Sequence, residues 1–244
     1  MKKTSLLFSA AILSSLFLGT GSAFAVADGP GSPDVPAHGE GSIGFTENTG
    51  PTGPVDPTDP SKPDPTGPDG ENENTDADGP LSLDVYPSKF EFGLANPVDM
   101  KENTYASSVT GNHFLQVTDN RSDADGWSVT VARSEFKLDG GTDELTGSIF
   151  TLPLATAVGR NALSAIPVDA DSTLTTAGVD TAIPVGDGNA VTIFGADGTA
   201  NVGKSTSTYT WDAAKETLTV KQNTAKKGTF KSTVNWTITA TPAS

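Results

Sequence analysis

The sequence predicts an all-β fold, an antiparallel β-sandwich with long loops, preceded by a disordered acidic Pro/Gly-rich tail. Three observations carry the prediction. From Leu81 onward apolar residues alternate with threonine and serine, as in Trp127-Ser128-Val129-Thr130-Val131. Glycine, asparagine and aspartate punctuate this part of the chain densely, and apolar spacing at the helical period is nearly absent. Before Leu81 the chain is mostly Gly, Pro, Asp, Glu, Asn and Thr, a composition too polar to bury a core.

Taken in order, the first element is a leader. Lys2 and Lys3 precede an apolar stretch from Leu6 to Leu18 and the small-x-small site Ala23-Phe24-Ala25, which predicts a secretory signal peptide over 1–25. No later stretch approaches the roughly 20 apolar residues of a membrane span, so no membrane anchor is expected after cleavage. The second element, 26–80, carries twelve acidic residues against a single lysine, Lys62, and repeats Pro-Thr-Gly-Pro and Asp-Pro steps. Self-repulsion and proline predict an extended spacer. Ile43-Gly44-Phe45 is its one candidate docking motif.

The third element, 81–244, is the folded domain. Trp127, Val129 and Val131 share one face of a strand, as do Val234, Trp236, Ile238 and Ala240. Further strands are expected at Leu81 to Val85, Phe114 to Val117, Ser148 to Leu152, Ala190 to Phe194, Thr206 to Trp211 and Thr217 to Val220. Asp212 to Glu216 reads as a hairpin loop joining the last two. Each tryptophan is either a core anchor or a platform for sugar rings. The β-branched company of Trp127 and Trp236 favours burial, whereas Trp211, at a hairpin mouth beside Tyr209, is the candidate exposed aromatic contact.

Charge and motifs then exclude several functions. The net charge of −15 argues against nucleic acid as a partner, although Lys204, Lys215, Lys221, Lys226, Lys227 and Lys231 crowd the last fifth of the chain. Gly198 to Ser205 matches the phosphate-binding loop pattern, but the strand formers Thr206 to Trp211 follow where a helix is required. Asp123-Ala124-Asp125 and Asp169-Ala170-Asp171 suit turns better than a calcium loop, and His38 and His113 lack zinc-site spacing. No metal, no cofactor and no catalytic residue is expected. The enzyme alternative, a wall-degrading glycoside hydrolase, needs only two facing carboxylates and leaves no sequence mark.

Two segments carry a family resemblance. Phe114 to Arg121 leading into Gly126-Trp127-Ser128-Val129-Thr130-Val131, and Gly228 to Pro242 around Trp236-Thr237-Ile238, resemble the paired motifs of the WxL domain. Leu81-Ser82-Leu83-Asp84 and Phe92-Gly93 also fit, so the likeness spans the domain. Val129 and Ile238 stand where the family has leucine, and Phe230 where tyrosine is common; each keeps an apolar side chain on the strand face. The resemblance implies a surface protein of a Gram-positive bacterium, held non-covalently on peptidoglycan or associated wall polymers through Trp127, Val129, Trp236 and Ile238. It also implies assembly with other surface proteins, the alternative function being a subunit of a multi-protein surface complex. Two absences agree with it. Without cysteine there is neither a disulfide nor a lipidation site, and neither Leu152 to Thr156 nor the end at Ser244 forms a sorting signal for covalent attachment.

Overall fold

Strands that alternate apolar and hydroxyl side chains have one face to bury, and two such faces must meet. A computed structural model of the chain describes residues 39–64, 71–123, 126–155 and 157–243. The expected leader and its cleavage site lie outside them. Two units are distinguished, one ending at Phe45 and one starting at Thr46. In the first, Gly39–Phe45 have no regular secondary structure and expose Ile43 and Phe45.

The second unit is all-β. Its strands are β1 (Val55–Asp56), β2 (Asp59–Pro63), β3 (Asn72–Asn74), β4 (Leu81–Pro87), β5 (Asn103–Ala106) and β6 (Asn112–Asp119). They continue as β7 (Trp127–Arg133), β8 (Lys137–Leu138), β9 (Ile149–Leu152), β10 (Ala157–Asn161), β11 (Leu174–Thr176) and β12 (Thr181–Ile183). The last are β13 (Val191–Ala196), β14 (Ser205–Asp212), β15 (Thr217–Val220), β16 (Phe230–Lys231) and β17 (Val234–Thr239). A first sheet runs β10-β14-β6-β4-β3, a second β11-β13-β7-β17 and a third β12-β9-β15-β5, with β1-β2 and β16-β8 as short ribbons. All strand pairs in the three sheets are antiparallel. The expected sandwich therefore holds, with Leu115, Val117, Trp127, Val129, Val131, Phe150, Ile193 and Phe194 in one core.

Two expectations are corrected. The described part of the expected 26–80 spacer after Phe45, residues 46–64 and 71–80, is built into the folded unit. It forms β1 to β3, and its partner is a polar surface rather than an apolar one. Gln116 accepts from the Val55 N–H through Oε1 (2.9 Å) and donates through Nε2 to Gly53 O (3.0 Å), and the Thr208 and Thr210 hydroxyls donate to Pro57 O (3.0 and 3.3 Å). The outward face of the first sheet thus carries Asp84, Gln116, Thr118, Thr206, Thr208 and Thr210, all buried. Asp84 accepts from Ser82, Gln116 and Thr118 (2.5, 3.1 and 2.6 Å), yet burial outweighs these bonds and pushes its carboxyl pKa up.

The second correction concerns Asp212 to Glu216. β14 pairs with β6 and β10, while β15 pairs with β5 and β9, so the connection changes sheets instead of closing a hairpin. It makes a single 3-10 turn, Ala213–Lys215, capped by Asp212 accepting from the Ala214 N–H (3.1 Å). Ala213 and Glu216 are fully buried in this corner.

Candidate functional site

The two motif strands are neighbours. β7 and β17 pair so that Trp236 stands opposite Val131 and Ile238 opposite Val129. Trp127 and Val129 are completely buried, whereas Trp236 and Ile238 are half-buried, because β7 is central and β17 is the last strand of its sheet. The Trp127 indole N–H donates to Gly203 O (3.1 Å). Gly203 adopts φ +68°, and a β-carbon there would lie 2.8 Å from that same indole nitrogen, so only glycine closes the loop over the ring. The phosphate-loop look-alike is accordingly a cap on Trp127. Its Lys204 donates to Arg121 O (3.0 Å) and Ser122 O (2.7 Å), and Ser205–Asp212 is strand β14.

Tyr209 and Trp211, expected as exposed contacts, are buried. The Trp211 indole N–H donates to Glu216 Oε1 (2.7 Å), and the same oxygen lies 2.7 Å from His113 Nδ1. Burial pushes the Tyr209 phenol up to about 12. The reason is the corner just described: a hairpin mouth would have faced solvent, a turn between sheets faces the core.

The aromatic rings form one continuous ladder. From Trp127 it passes to Phe194 (5.0 Å between centroids), Tyr209 (5.5 Å), Trp211 (5.7 Å), Trp236 (6.2 Å) and Phe90 (6.4 Å). Phe90 stacks edge-on with Phe150 (5.0 Å), which meets Phe92 (5.0 Å), which meets Phe136 (6.4 Å). Trp127 is thus the first rung and Trp236 an inner one, and the ladder ends at an open groove of about 660 Å³.

That groove lies between Tyr86–Val98, the β15 side chains Leu218 and Val220, and Gly228–Val234. Phe90, Phe92, Tyr105, Phe136 and Phe230 line it, with Leu94 and Val98 exposed on one rim. The β8-β16 ribbon sets Phe230 opposite Leu138 and so fixes one wall. The Asn96 side chain donates to Phe92 O (2.8 Å) and Gly93 O (3.1 Å), holding the other. Its cations are spoken for: Lys89 pairs with Glu71 (3.0 Å), Lys226 with Asp143 and Lys231 with Asp139 (2.6 Å). Lys221 likewise pairs with Glu102 (3.0 Å), so the lysine-rich end of the chain is not a bare basic face. Phe92-Gly93 and Gly228–Val234 belong to the segments that carry the family resemblance, whereas Phe90, Tyr105 and Phe136 belong to none of them.

The family model for the WxL domain, described as surface cell wall-binding, matches residues 35–242. The chain belongs to the WxL family. No curated protein and no solved structure gives a match. As a WxL protein it is a cell-surface protein that binds the cell wall, in a family of wall-binding domains rather than of enzymes. The match begins well before Leu81, in agreement with a folded unit that includes the segment after Thr46. Among the described residues, no helix is long and apolar enough to cross a membrane.

Proposed function

We propose that this WxL protein is exported through its leader and held on peptidoglycan, without a covalent bond, by the groove at the end of the aromatic ladder. The observation that carries the reading is the set of aromatic rings around one open groove, Phe90, Phe92, Tyr105, Phe136 and Phe230 among them. The C–H faces of a pyranose pack on aromatic rings, and a pocket with an apolar floor and polar rim suits a chain of sugars. Repetition of weak sites along one polymer then retains the protein by avidity. The motif residues Trp127, Val129, Trp236 and Ile238 act by holding the ladder in place; Tyr209 and Trp211 are its middle.

Charge favours the uncharged part of the wall as ligand. With Lys89, Lys226 and Lys231 neutralised by neighbouring acids, an anionic polymer gains little from the groove. The groove lining also holds one carboxylate, Glu91, whereas hydrolysis by paired carboxylates needs two. The test is co-sedimentation of the full chain with peptidoglycan stripped of its anionic polymers. Binding is expected to persist, to change less than about twofold between 0.05 and 0.5 M salt, and to fall at least about tenfold in Tyr105→Ala or Phe230→Ala. Retention only on unstripped wall would overturn the reading.

A further inference from the structure

The open edge of β17 points to a second binding site, beside the groove and sharing Tyr86 and Val234 with it: we propose that β17 accepts an extended strand from a partner protein. Unpaired strand edges are blunted in most proteins by brevity, charge or proline. The other outer strands obey that rule. β11, β12 and β3 have three residues each, β3 includes Glu73, β10 includes Arg160, and β5 has four residues with Lys101-Glu102 just before it. β17 is six residues long, Val234-Asn235-Trp236-Thr237-Ile238-Thr239, with no charge and no proline. It pairs with β7 on one side, and among the described residues no backbone hydrogen bond reaches its other side. Alternate residues of an antiparallel strand direct their N–H and C=O away from the partner, so half of β17 presents unpaired groups.

The layers leave room for one more strand. The first sheet has five strands and ends at β3, while the second has four and ends at β17, which lies against β4 through the Trp236 indole N–H on Pro87 O (3.2 Å). Beyond β17 nothing in the second sheet extends over β3. A cavity of about 460 Å³ marks the gap, bounded by Thr75, Leu83 and Tyr86 on one side and Val234–Thr237 on the other. An added strand would insert its alternate side chains there and cover Trp236.

The shape argues for a donated segment and against a second copy. In a two-fold pairing of β17 with itself, the overhanging β3 of one copy would meet β4 of the other. Charge describes the segment further. Asp187 borders the cavity, and the hydroxyl of its lining residue Tyr86 donates to Glu73 (3.2 Å) just outside it; no lysine or arginine lines it. A strand with valine-like residues at every second position and lysine or arginine between them meets both the apolar gap and these carboxylates.

The test uses a capped synthetic peptide, Thr-Val-Lys-Val-Thr-Val-Lys-Val-Thr, its form N-methylated at alternate amides, and a scramble that breaks the alternation, each added to the full chain at about 1 mM. Amide exchange is read at β17. The expected result is at least about tenfold slowing at alternate β17 amides with the first peptide and none with the other two. Equal slowing by the methylated peptide, binding that leaves β17 unchanged, or no binding at all would overturn the proposal. Slowing that grows with protein concentration in the absence of peptide would assign the edge to a second copy instead. Peptidoglycan co-sedimentation of the same preparation reports on the groove separately.

Discussion

Trp127 and Trp236 occupy the same position of the same motif, on adjacent strands and on the same face, yet their surroundings differ completely. Trp127 lies on a strand flanked on both sides and has a glycine loop across its ring; Trp236 has a strand on one side and a gap on the other. Alternation in a sequence specifies which face a side chain takes, and position in the sheet then decides how much of that face is covered. The motif repeats; the burial does not. One tryptophan anchors the core, and the other joins the core to the surface.

Several measurements break or sharpen this contrast. Trp127→Ala leaves a cavity the size of an indole and an unpaired Gly203 carbonyl, and is expected to lower stability by about 3 to 5 kcal/mol in urea denaturation. A loss under about 1 kcal/mol would show that the loop collapses onto the site. Next comes Tyr209, midway along the ladder. Its phenol ionises near 10 when unfolded and near 12 when folded, so its contribution is complete below pH 10 and is lost as pH rises toward 12. Stability is expected to fall by about 2 to 3 kcal/mol across that window and to fall less in Tyr209→Phe. If the two proteins show the same slope, Tyr209 is not shielded as described.

Trp236→Ala is expected to cost about 2 kcal/mol, less than its partner because only part of the ring is covered. Equal losses for the two alanine variants would erase the distinction between central and edge strand. The smallest effect is expected at Asp84. Its folded pKa is raised by burial, so the stability it favours is full below the unfolded carboxylate value and declines as pH rises through the higher one. Asp84→Asn should flatten that decline, measured as thermal midpoint against pH from below the ordinary carboxylate range upward.

How much of this was legible follows from what each signal measures. Leu81 to Val85, Phe114 to Val117 and Thr217 to Val220 announced themselves because one face of each is apolar and the next residue is not. The β7-β17 pairing was not legible: the sequence shows two strands of like pattern and nothing of their adjacency. The segment after Thr46 was unreadable as structure because it adds almost nothing apolar: Val55 and Pro60 are its buried apolar side chains among the described residues, and hydrogen bonds to Gln116, Thr208 and Thr210 hold it. Hydropathy cannot register that kind of attachment. The corner at Ala213 misled for a related reason, since five polar and small residues between two strands suit a hairpin and a change of sheet equally well. Tyr209 and Trp211 were placed outside on that account alone. The groove was invisible because Phe90, Tyr105, Phe136 and Phe230 are scattered along the chain and meet only through the topology.

The polar outer face of the first sheet bears on how the protein is cut. Cleavage at Leu81, where composition suggests a boundary, would strip the clasp from a row of threonines and from Gln116 and Asp84. The remaining fragment would keep every apolar contact of its interior and still present a wet, half-satisfied sheet to solvent. Proteolysis or cloning that respects the molecule has to start ahead of Thr46, where the folded unit begins.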